Sequence, residues 1–219
     1  MSLKEHTVKS YDKDLQSIAG TLDEMLDLVS ISIDMVANSI KGGGQNALEE
    51  ITSHDYKINS LDFLIERKIT AMLALRQPMA VDLRYIVSAL KVSSNLERVG
   101  DQAKSIIKKI HRVGAKELDG KVAKSLLEMV ALSKEMVRDS VFAFNDQDQD
   151  KADVVLKQDD QIDDIYSDLF NIIEGESFSK QQTEKIINIL FIAKSFERLA
   201  DHSTNIAEIT KYVITGDTK

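Results

Sequence analysis

Two stretches of this chain repeat one spacing of residues. "SNLERVGDQAKSIIKK" places Glu97, Asp101 and Ser105 where "SFERLADHSTNIAE" places Glu197, Asp201 and Asn205. The repeat extends upstream, where Asp55-x-x-Ile58-x-x-Leu61 returns as Asp159-x-x-Ile162-x-x-Ile165. The offset is 104 residues at the upstream match and 100 at the downstream one, so the second hairpin is four residues shorter. A chain that repeats itself over about 100 residues is expected to build two like units within one elongated molecule.

Each unit reads as three helices. Leu15, Ile18, Leu22, Leu26, Val29, Ile33, Val36 and Ile40 recur at steps of three and four, and Gly42-Gly43-Gly44 ends that run. A second stripe, Ile51, Ile58, Leu61, Ile65, Ile69 and Met72, lies in a helix predicted from about Asn46 to Leu75. Pro78 then suits the first turn of a helix that continues to about Val113, with Asp82 near its start. The pattern recurs at about Ala123–Phe144 and Ala152–Glu174, and Ser179-x-x-Gln182 reads as a capping box for a sixth helix. One proline, nine glycines and few aromatics among 219 residues agree with long helices. The fold expected is all-α: two tandem three-helix bundles, residues 1–113 and 123–219, joined by a linker at 114–122.

Net charge is −8, and no basic stripe interleaved with aromatics is present, so a nucleic-acid module is disfavoured. The acidic balance also argues against passive attraction to an anionic membrane. The absence of cysteine removes disulfides, thiolate catalysis and Cys-based zinc sites. No signal-peptide pattern follows Met1, and no apolar run approaches the ~20 residues of a bilayer span. A cytoplasmic protein is the expectation.

Glu197, Asp201, Asn205 and Glu208 fall within an arc of about 80° on one helix, opposite Ile192, Phe196, Leu199 and Ile206. Like charges at i,i+4 cost a few tenths of a kcal/mol each, so something should offset them. Local pairing is one answer: Lys194 precedes Glu197 by three residues, and Arg198 precedes Asp201 by three. A bound cation is the other, and it needs oxygen ligands from a second helix. Counting outward from the turns sets Asp55 level with Glu97, and Asp159 level with Glu197. Asp55/Asn59 and Asp159/Asp163 supply further i,i+4 pairs, and Asp160/Asp164 one more. The metal ligands expected are therefore Asp159, Asp163, Glu197, Asp201 and Asn205 in the second half, and Asp55, Asn59, Glu97 and Asp101 in the first.

Oxygen donors suit Mg²⁺, Ca²⁺ or Mn²⁺, with clustered iron a further option, and a buried catalytic zinc fits less well. His202 stands about 140° from Glu197 and is expected to pair locally, while His6, His54 and His111 read as surface residues. The halves differ, because Asn205, His202 and Glu208 become Ser105, Gln102 and Lys108. Lys108 brings positive charge onto the first stripe, so that site is expected to bind weakly or stay empty, with Asp62 in partial compensation. No inward Glu-x-x-His pair of a di-iron oxidase and no phosphate loop is found. No catalytic constellation stands out, and an enzyme is not expected.

"ALRQPMAVDLRYIVSALKVSSNLERVGDQAKSI", "LFIAKSFERLADHSTNIAE" and "VLKQDDQIDDIY" together resemble the PhoU family of phosphate-uptake regulators over essentially the whole chain. The resemblance implies a cytoplasmic adaptor that binds metal ions, including multinuclear iron or zinc clusters, and couples the ATPase subunit of a phosphate ABC transporter to a sensor histidine kinase. It implies negative regulation of phosphate uptake and of the starvation response, homodimers or larger oligomers, and contact with the membrane only through partners. A metal-dependent phosphohydrolase, a metal-storage protein, or service to another phosphate permease stand as alternatives.

Overall fold

The computed structural model describes residues 3–76, 78, 80–118, 120–174 and 180–217. Six long helices account for nearly all of them: α1 (Leu3–Ile40), α2 (Ala47–Arg76), α3 (Ala80–Val113), α4 (Gly120–Asp146), α5 (Gln149–Glu174) and α6 (Lys180–Thr215). Every position of the α2 stripe is buried, and so is every position of the α1 stripe except half-buried Leu15. The 3.6-residue period thus decides which side of each helix meets the core.

The helix ends differ from expectation where stop signals are weak. α1 starts at Leu3 rather than near Tyr11, because no proline or glycine interrupts residues 3–10. α4 starts at Gly120, and a 3-10 turn (Ala115–Glu117) occupies much of the expected linker. α5 likewise starts at Gln149, which leaves only Gln147 and Asp148 between it and α4. Gly42 ends α1 at φ 85°, with Gly42 N–H bonded to Ser39 C=O and Gly43 N–H to Asn38 C=O. That pair of bonds is the Schellman arrangement, and its left-handed residue is the reason for a glycine there. Pro78 precedes α3 by two residues instead of opening it. The Ser179 capping position lies outside the described residues.

Within each unit the helices pack α1–α2–α3 and α4–α5–α6. The units then join through α3 against α6 and α1 against α4, so four helices surround one core that runs through both halves. Tyr85 of α3 stacks on fully buried Phe144 of α4 across it, ring centroids 4.9 Å apart. Both junctions are antiparallel. Arg84 meets Val213, Asn95 meets His202 and Lys109 meets Ser195, so equivalent helices of the two units run in opposite directions, as they would about a local twofold axis. In the other junction Lys134 donates to Asp34 and Asn145 to Asp23. α2 and α5 flank this core, and the repeated acidic motifs face them.

Candidate functional site

The second-half patch lies between α5 and α6. Asp159 is half-buried, and its carboxyl is pushed up to about 6, first by burial and then by the charges of Asp163, Asp201, Asp160 and Glu197. Asp163 is raised as well, by burial and then by Glu197 and Asp201. Of the predicted donors, Asp159, Asp163, Glu197 and Asp201 thus interact across the α5–α6 hairpin. Glu197 Oε1 accepts an ion pair from Lys194, and Glu197 Oε2 is buried with no hydrogen-bond partner. Arg198 forms no ion pair with Asp201 among the described residues, so of the two local pairings considered only Lys194 with Glu197 is made.

In the first half, cations already occupy the matching place. Lys104 Nζ sits 2.5 Å from Asp55 Oδ2, and Asp55 is only 8% exposed. Asp101 is raised by burial and by its hydrogen-bonding contact with Asp55, and Glu97 by burial and by Asp101. Arg98 contacts both Glu97 and Asp101, at 3.4 and 3.8 Å. Asp62 accepts from Ser93, and Asn59 is half-buried on α2. The cation that enters this patch is therefore Lys104 rather than Lys108, which is exposed. Lys104 stands two turns beyond Glu97 on the same stripe, so its reach was visible in the sequence, and its counterpart at the repeat offset is Thr204.

The facing pairs sit one helical turn from where turn-centred counting puts them. Asp55 meets Asp101 instead of Glu97, and Asp159 feels Asp201 more strongly than Glu197. In the first hairpin the cause is plain: α2 runs on to Arg76 and α3 starts only at Ala80, which moves the midpoint to residue 78. Asn205 turns away from the acidic patch, its Nδ2 3.4 Å from Asn95 Oδ1. His202 Nδ1 also meets Asn95 Oδ1, at 3.0 Å, so its partner lies across the α3–α6 junction rather than nearby in sequence. Burial holds the His202 imidazole below its usual range. Among the described residues, no group of three or more His, Asp or Glu side chains is arranged as a ready cation cage.

The PhoU domain matches this chain twice, at residues 22–110 and 126–210. The chain belongs to the PhoU family. A PhoU homolog of Caulobacter vibrioides, a phosphate-specific transport system accessory protein, is 34% identical over 98% of this chain and 94% of its own length. A homolog of the same description from Clostridium acetobutylicum is 33% identical over 96% of both chains. Among solved structures, PhoU from Pseudomonas aeruginosa superposes with a TM-score of 0.84 at 25% identity, over 94% of this chain and all of that one. The phosphate transport system regulatory protein PhoU from Streptococcus pneumoniae gives 0.84 at 26% identity, over 95% and 99%. The all-α fold and its internal repeat are therefore those of PhoU proteins, and the chain is a phosphate-transport accessory protein by family. No described helix is long and apolar enough to cross a membrane.

Proposed function

We propose that this PhoU-family chain is a non-enzymatic cytoplasmic adaptor. On this reading it restrains phosphate uptake and the starvation response by touching both the ATPase subunit of a phosphate ABC transporter and a sensor histidine kinase. The observation that carries the reading is whole-length likeness to proteins named as accessory or regulatory in phosphate transport. The surface agrees with it. Asp163 and Asp201 stand exposed on their helix faces, where a partner can reach them. Deleting the gene in its native cell is expected to raise phosphate uptake at high external phosphate and to switch on starvation genes. Unchanged uptake together with silent starvation genes would refute the adaptor reading.

We further propose that the α5–α6 patch takes up a hard metal ion, which would draw together carboxylates that form no ready cage without it. Four carboxylates share a field, one carboxylate oxygen of Glu197 is buried without a partner, and Asp159 is costly to ionise unaided. Asp159, Asp163, Glu197 and Asp201 would hold the ion, which would neutralise their mutual repulsion and fasten α5 to α6. Asn205 contributes only if it leaves Asn95. Asp55, Asn59, Glu97 and Asp101 are the weaker set, because Lys104 and Arg98 already supply positive charge there. Metal analysis after purification without chelator is expected to find bound metal in the wild type and a loss of it in Glu197→Ala/Asp201→Ala. Equal content in both would sink the assignment.

A further inference from the structure

The α3–α6 junction carries a second polar feature that the carboxylate patches do not use. Lys109 is half-buried there, and its ammonium donates to Ser105 Oγ at 2.8 Å on its own helix and to Ser195 Oγ at 2.7 Å on α6. Both acceptors are neutral, although burying a charge ordinarily calls for an opposite one. Arg112 follows Lys109 by one turn of α3, and Arg198 follows Ser195 by one turn of α6, so both arginines stand on the helix faces that carry the ammonium and its acceptor. Among the described residues none of the three forms an ion pair. Burial, then Arg198, then Arg112 hold the Lys109 ammonium below its usual range, so the three charges interact. Glu117, which lines the adjoining groove with Arg112, is already taken by Lys185 at 2.8 Å, and Glu184 of that groove is exposed.

The repeat sharpens this. Lys109 corresponds to Ile209 and Arg112 to Tyr212, so the three-cation cluster occurs at one end of the junction only. Packing the repeats together does not require it.

We propose that Lys109, Arg112 and Arg198 form a binding site for a tetrahedral oxyanion, inorganic phosphate or a phosphomonoester, across the junction of the two repeats. Lys109 keeps one N–H beyond the two bound to serines, and the two guanidinium groups offer paired donors suited to phosphate oxygens. An anion held by all three would tie α3 to α6 where the units meet. The site owes nothing to the carboxylate patches, and its test is independent of the adaptor reading.

Equilibrium dialysis of the full chain against inorganic phosphate, and separately against phosphoserine, tests it, with chelator present so that patch-bound metal cannot carry the anion. Saturable binding of about one anion per chain is expected, weakened about ten-fold or more in Arg198→Gln and in Lys109→Gln, and kept in Lys185→Gln. Arg198 is exposed, so its replacement should leave the fold intact even if that of Lys109 does not. Binding of phosphate identifies the free ion as the source, and binding of phosphoserine alone identifies a phosphorylated partner. No saturable binding of either up to ~10 mM would overturn the proposal, and so would binding that Arg198→Gln leaves unchanged.

Discussion

Asp159 and Asp55 hold equivalent places in the two repeats and meet opposite surroundings. Asp55 faces a lysine, whereas Asp159 faces Asp201 and Glu197. Without metal, the folded carboxyl of Asp159 titrates at about 6 against an ordinary value of 3.8. Between those values the folded chain binds more protons than the unfolded one. This contribution to stability is therefore full below about pH 4 and lost as pH rises through about 6. The shift corresponds to about 3 kcal/mol, and solvent screening of a half-exposed group reduces it to on the order of 1 kcal/mol. Asp159→Asn in chelator should accordingly be more stable than wild type at pH 8 by on the order of 1 kcal/mol and equal to it near pH 4. Urea unfolding at both values checks this, and an Asn variant no more stable at pH 8 would contradict it.

At the scale of elements, the periodic stripes told which faces are buried, and the repeat told how many helices there are. Register was less legible. It depends on where one helix yields to the next, and turns such as 77–79 carry little periodic signal. One turn of error exchanged Glu97 for Asp101 as the partner of Asp55, although the acidic set stayed together. Pairings across the junction, such as His202 with Asn95, were out of reach because sequence spacing says nothing about which units meet. Gly100 shows how closely α2 and α3 approach: a Cβ there would lie 2.9 Å from Ile58 Cδ1. That atom ends a flexible side chain, and the equivalent residue in the second unit is buried Ala200. Gly100→Ala should fall within about 1 kcal/mol of wild type, as the gain in helix propensity offsets the adjustment of Ile58. Gly100→Leu should cost on the order of 3 kcal/mol through overpacking. Thermal unfolding of both variants checks the pair, and equal stability of the two would show that the crossing is looser than described.

For the whole molecule, two tandem bundles describe the sequence well, yet the structure gives them one continuous core. α1, α3, α4 and α6 each bury surface against the other unit, so neither unit keeps its apolar face covered alone. The antiparallel meeting of α3 with α6 and of α1 with α4 has an evolutionary consequence. A chain whose halves are related by a local twofold axis has the form of a symmetric dimer whose subunits were fused after gene duplication. In an unfused dimer every substitution appears twice, so a lysine that closes one patch closes both. Fusion lets the two copies differ, and here Lys104 closes one acidic face where its counterpart Thr204 leaves the other open.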